Sequence, residues 1–230
     1  MGEWITLTAA DGHQFAAWRE MPESAPKGGL VLVQEAFGVN HHIRDVAGRF
    51  AALGYEVVAP AMFDRYQRGF EVGYSQDEIA RGIAMLPQVD WDKALLDVEA
   101  ARVALTVDLA GQLARARKHI GVIGYCFGGS MAWLAACRLP FAAAVCYYGS
   151  RIPAFSERAP RCPLIAHFGR QDKSIPVEHV EALAAAYPDI PVYLYDAGHG
   201  FACDERGAFD QAAHALAWQR TVDFLQTRLG

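Results

Sequence analysis

The run Gly124-Tyr125-Cys126-Phe127-Gly128-Gly129 is the part of this chain best equipped for chemistry. It follows the apolar, β-branched run Ile120–Gly124 and opens a segment of helical character, Gly128–Leu139, whose only charge is Arg138 near its end. A tight strand-to-helix turn of the form G-x-nucleophile-x-G lifts its central side chain clear of a sheet, here with a thiol in place of a hydroxyl. The glycines have a steric reason. Side chains two before and two after the nucleophile would collide with neighbouring backbone. A helix N-terminus beside the sulfur also favours thiolate, the form that attacks a carbonyl carbon. Most free cysteines are small buried residues, yet the strand–turn–helix context and the flanking glycines favour a nucleophile at Cys126.

A thiol nucleophile needs a histidine, and the histidine needs an acid to orient it. Two segments downstream offer them in the order nucleophile, acid, histidine. Gly169-Arg170-Gln171-Asp172 follows the strand-like run Leu164–Phe168, and Asp196-Ala197-Gly198-His199-Gly200-Phe201 follows Val192–Tyr195. Asp172 and His199 are therefore the candidate orienter and base. The competitors are weaker. His179 sits at a polar helix start, His214 on the closing helix, and His167 inside a strand. Asp189 and Asp196 compete for the acid role, but Asp196 lies too close to His199 in sequence to reach its ring easily.

Acyl transfer also needs two backbone N–H groups for the oxyanion. Phe127, directly after the nucleophile, supplies one. Ala36, in the post-strand segment Gln34-Glu35-Ala36-Phe37-Gly38, is the candidate for the other. His41 and His42 are adjacent and cannot chelate as a pair. No His, Cys or Asp cluster has metal-ligand spacing, so neither a metal nor a cofactor is expected.

These residues need a scaffold that puts strand ends side by side. The chain supplies short apolar runs alternating with helical patterns. Glu3–Thr8 and Gln14–Arg19 form a hairpin around Asp11-Gly12. Strands follow at Leu30–Gln34, Tyr55–Ala59, Ile120–Gly124, Ala142–Tyr147, Leu164–Phe168 and Val192–Tyr195. Helical periodicity marks His42–Leu53, Asp77–Leu86, Trp91–Leu113, Gly128–Leu139, Val177–Tyr187 and Ala208–Leu229. This predicts an α/β fold, a mostly parallel sheet with helices on both faces and an antiparallel N-terminal edge. Sites in such sheets lie beyond the carboxyl ends of the strands, where Glu35, Cys126, Asp172 and His199 fall. Residues 60–91 are the least regular and are expected to form a small lid within one domain spanning 1–230.

Composition agrees. Of 230 residues, 53% are hydrophobic and 20% charged, which excludes a disordered chain. The formal charge of −5, with no basic run, argues against a nucleic-acid partner. The uncharged run Ile120–Cys137 is broken by glycines and reads as strand plus helix, so no membrane partner is expected. Met1–Ala10 lacks a basic start before an apolar run, so no secretory leader is expected. Five cysteines without pairing spacing imply a cytoplasmic protein with free thiols.

Taken in order, these blocks resemble the dienelactone hydrolase family of α/β-hydrolases (carboxymethylenebutenolidase-like). The resemblance is carried by Gln34-Glu35-Ala36-Phe37-Gly38-Val39-Asn40, Gly124-Tyr125-Cys126-Phe127-Gly128-Gly129, Tyr147-Tyr148-Gly149, Gly169-Arg170-Gln171-Asp172 and Gly198-His199-Gly200-Phe201. It implies an α/β-hydrolase fold and a Cys-Asp-His triad at Cys126, Asp172 and His199. It also implies that Glu35 contacts the resting thiol and moves away when substrate binds. A carboxylate there disfavours a second negative charge and protects the idle thiol from oxidation. Members of the family hold a substrate carboxylate with two arginines. Arg81 matches the first, whereas Cys203 stands at the second position, with Arg206 three residues later. Arg81, Phe37 and Tyr125 are the candidate substrate contacts.

The expected activity is cofactor-free cleavage of small lactones or esters, by a monomer or small homo-oligomer. One alternative is a broad carboxylesterase or thioesterase acting on neutral esters, which Cys203 at the arginine position favours. Another is a non-catalytic or redox-responsive scaffold in which Cys203 resolves oxidised Cys126 as a disulfide.

Overall fold

The structure is a computed structural model that describes residues 2–110, 119–155 and 158–230. The chain runs β1 (Glu3–Thr8), β2 (Gln14–Glu20), β3 (Gly28–Val33), α1 (His41–Ala52), β4 (Tyr55–Pro60), α2 (Gln76–Met85), a 3₁₀ turn (Leu86–Gln88) and α3 (Trp91–Ala110). It continues through β5 (Ile120–Tyr125), α4 (Phe127–Arg138), β6 (Ala143–Tyr147), α5 (Ile152–Phe155), β7 (Leu164–Gly169), α6 (Val177–Ala186), β8 (Val192–Tyr195) and α7 (Gln211–Leu229). The helix expected over Trp91–Leu113 is seen to Ala110, and residues 111–113 lie outside the described residues. The four-residue α5 is too short to show a period in sequence.

The eight strands form one sheet in the order β1-β2-β4-β3-β5-β6-β7-β8. β1 pairs antiparallel with β2, and β2 antiparallel with β4. All remaining pairs are parallel. β3, β4, β5, β6 and β7 are buried along their whole length, because helices cover both faces of a parallel sheet. Such strands read as continuous apolar runs rather than alternating ones, which is how they appear in the sequence.

Local chemistry sets the helix starts that matter for the site. Asn40 caps α1, its side chain accepting from the Ile43 N–H. Asp210 caps α7 through the Ala213 N–H, which places the start after Ala208. α4 begins directly after Cys126, and every residue from Phe127 to Cys137 is buried. No helix of the described residues is long and apolar enough to cross a membrane.

Candidate active site

The turn at Cys126 is as tight as its glycines imply. Cys126 adopts φ 53° and ψ −112°, a conformation that costs a non-glycine residue energy and that packing must enforce. A Cβ on Gly124 would lie 1.9 Å from the Gly128 carbonyl oxygen, and one on Gly128 would lie 2.2 Å from the Val33 oxygen. The backbone is pinned on both sides. The Cys126 N–H donates to the Tyr147 carbonyl at 3.0 Å, and the Gly128 N–H to the Gln34 carbonyl at 3.0 Å.

Three sequence-predicted residues meet here. The Cys126 Sγ lies 3.1 Å from His199 Nε2, and His199 Nδ1 lies 2.7 Å from Asp172 Oδ2. Asp172 is buried, and its other oxygen accepts the Ser174 N–H at 2.8 Å. Tyr148, itself buried, packs its ring 5.1 Å from the His199 ring. Burial pulls the His199 imidazole down, but the Cys126 sulfur and the Asp172 carboxylate on its two sides outweigh it and raise the ring to about 10. The arrangement can hold an imidazolium beside a thiolate. It can also pass a proton between the sulfur side and a leaving group without reorienting the ring.

Phe127 opens α4 directly after Cys126, and Ala36 lies in the loop after β3, which the Gly128 N–H to Gln34 carbonyl bond ties to this turn. Among the described residues, neither N–H has a backbone carbonyl partner, so both remain available as donors. Beside Cys126 opens a cleft of about 540 Å³, lined by Leu86, Pro87, Val89, Trp91, Phe127, Ser150 and Arg151. Its apolar wall comes from the end of the 60–91 segment and the start of α3. Arg151 is its only charged lining residue, and its guanidinium has no hydrogen-bond or ion-pair partner among the described residues. A cavity of about 630 Å³ lies at the other end of α1, around Glu20 and Gly54, and none of its lining residues belongs to the loops that carry Cys126, Asp172 and His199.

The other candidates fall elsewhere. Arg81 is exposed on α2 and does not line this cleft. Tyr125 is buried beneath the site, stacked on Tyr147 at 4.6 Å. Phe37 is buried and meets Tyr74 edge-on at 5.1 Å. Glu35 is 1% exposed and makes no hydrogen bond to Cys126. Its Oε1 lies 3.5 Å from Arg206 Nη1, and that guanidinium also sits over the Phe37 and Tyr74 rings at 5.2 and 5.9 Å. Arg206 thus enters from three residues beyond the position at which an arginine was expected. Arg151 was not singled out in the sequence, although its place just after β6 follows the same post-strand logic as the rest.

His167 is a core residue, hydrogen-bonded to Tyr195 Oη at 2.8 Å and near Thr221 Oγ1 at 3.1 Å. The sequence offers no metal spacing, but folding brings Glu35, His42 and Cys203 together from three separate segments, all buried.

The sheet order, the strained strand-to-helix turn and the post-strand positions of the meeting side chains define an α/β-hydrolase fold. The family model for the dienelactone hydrolase family matches residues 15–229, and the chain belongs to that family. It is a hydrolase of ester or lactone bonds. The chain is 31% identical over 231 residues to the carboxymethylenebutenolidase of Pseudomonas putida, covering 97% of this chain and 95% of that one. A dienelactone hydrolase-like promiscuous phosphotriesterase from metagenomic libraries superposes with a TM-score of 0.78 at 22% identity, over 100% of this chain and 99% of the other. An esterase of Pyrococcus furiosus gives 0.71 at 16%, over 100% and 94%. At those identities the two structures speak for the fold alone.

Proposed function

We propose that the protein hydrolyses small enol-lactones or esters through a Cys126 acyl-enzyme, with His199 as acid and base and Asp172 as its orienter. The contact chain Cys126–His199–Asp172, at 3.1 and 2.7 Å, carries the reading. The thiolate sulfur adds to the carbonyl carbon, and the carbonyl electron pair moves onto oxygen. The Ala36 and Phe127 N–H groups hold that oxyanion. Collapse expels the enolate or alkoxide, which takes the proton from the His199 imidazolium. His199 then removes a proton from water, the hydroxide attacks the thioester, and the sulfur leaves as thiolate. Asp172 keeps the ring in the tautomer that presents Nε2 to the sulfur.

The apolar cleft wall accepts a small unsaturated or alkyl body. Arg151, unpaired at the same cleft, suits a substrate carboxylate. The relatives' name, carboxymethylenebutenolidase, describes such an acidic lactone. The wall of Leu86, Pro87, Val89 and Trp91 also favours a second reading, turnover of neutral esters. Saturation kinetics of the wild type on a dienelactone and on p-nitrophenyl acetate separate the two. Loss of both activities in Cys126→Ala supports the shared mechanism, and retention of either excludes it for that substrate.

A further inference from the structure

Directly behind the β3 loop, Glu35, His42 and Cys203 bring a carboxylate oxygen, an imidazole nitrogen and a sulfur within 4.8 Å of one another. Their exposures are 1%, 0% and 0%. Two of the three keep a bare atom there. The Oε2 of Glu35 and both ring nitrogens of His42 are buried with no hydrogen-bond partner. A native structure rarely buries such atoms without using them.

Each of those two side chains has a charged neighbour. Glu35 Oε1 faces Arg206 at 3.5 Å, and His42 Nδ1 faces Asp204 Oδ1 at 3.3 Å. Asp204 is itself gripped by Arg49 from α1. The candidate ligating atoms are Glu35 Oε2, a ring nitrogen of His42 and Cys203 Sγ.

We infer that Glu35, His42 and Cys203 form a buried N/O/S site for a divalent transition ion of the zinc type, separate from the Cys126–His199–Asp172 chain. Zinc takes ligands of these three kinds at about 2.0–2.3 Å, so side-chain shifts of roughly 1 Å close the shell. Binding places a dication between one carboxylate and one thiolate, and the Cys203 proton passes to solvent water, since a coordinating thiol is deprotonated. The fourth position is left to water or to the Tyr74 phenol. A metal there would also tether Glu35 through Oε2. The inference concerns binding and stands apart from the hydrolytic mechanism.

The test uses the full chain after chelator treatment, dialysed against Zn²⁺ and, separately, titrated with Co²⁺. The wild type and Cys126→Ala are expected to retain one equivalent of Zn²⁺. Their Co²⁺ forms are expected to show a thiolate-to-cobalt charge-transfer band. Cys203→Ser is expected to lose that band and to bind at least tenfold more weakly. If Cys203→Ser does not fold by circular dichroism, His42→Gln takes its place in the affinity measurement. Absence of bound metal in the wild type overturns the inference. So does a band that survives in Cys203→Ser, or one that vanishes in Cys126→Ala, which would put the ion on the nucleophile.

Discussion

The Cys126 Sγ and the His199 Nε2 stand 3.1 Å apart although 73 positions separate them in the chain. Parallel strands make this possible. β5 ends one position before Cys126, β8 ends four positions before His199, and both point their carboxyl ends to one rim of the sheet. The proposed chemistry depends on that contact and on the Asp172 carboxylate behind it.

Asp172→Asn keeps the shape of the orienter and removes its charge. The kcat on p-nitrophenyl acetate is expected to fall by about 10²–10⁴-fold with KM little changed, the pattern of a histidine held in the wrong tautomer. Steady-state kinetics check this, and an unchanged kcat would remove Asp172 from the mechanism.

Arg151 and Arg81 separate by location. Arg151→Ala is expected to raise KM for a carboxylate-bearing lactone by about 10–100-fold, the worth of one charge-assisted contact. KM for a neutral ester should stay within about twofold of the wild type, as it should for both substrates in Arg81→Ala, because Arg81 does not line the cleft. The opposite ranking would return the carboxylate contact to α2.

The elbow tolerates no added carbon. Gly128→Ala would drive its Cβ against the Val33 and Gln34 carbonyl oxygens, 2.2 and 2.6 Å away, and backbone cannot yield as a side chain can. A loss of about 1–3 kcal/mol is expected from urea unfolding, together with loss of activity, since the same backbone carries both candidate oxyanion donors. Wild-type stability would show that the loop after β3 moves freely.

Two histidines give stability opposite pH slopes. Burial lowers His167 to about 3 from an ordinary 6.5. The unfolded chain protonates there below about 6.5 and the folded chain only near 3. Stability is therefore lost as pH falls through that window. The drop in Tm from pH 7 to 4.5 is expected to shrink by several degrees in His167→Gln. An identical drop would mean that His167 titrates normally.

His199 works the other way. Its folded value is raised to about 10, so its contribution is fully present below 6.5 and fades as pH rises through about 10. The decline in Tm from pH 7 to 10.5 is expected to be steeper in the wild type than in His199→Gln. Parallel curves would show that no imidazolium persists in the resting site.

The fold was largely legible in the sequence because fully buried parallel strands write themselves as unbroken apolar runs. Cys126, Asp172 and His199 were legible for a related reason, since each follows such a run and glycine lies close by. What the sequence hid depends on how α1 packs against the loop after β8. His42 and Cys203 share no motif, yet the Arg49–Asp204 pair draws their segments together beside Glu35. Arg206 reaches Glu35 from three residues beyond the position expected for an arginine, where Cys203 stands. Contacts of this kind are set by tertiary packing and leave no local period to read.

The most direct test is to trap the acyl-enzyme. The wild type is mixed with excess p-nitrophenyl acetate, quenched in acid within the first turnover, digested and read by mass spectrometry. An acetyl group is expected as a thioester on the peptide that carries Cys126, and no such adduct on it in Cys126→Ala. Acetyl on another side chain, or full turnover by Cys126→Ala, would contradict a Cys126 nucleophile.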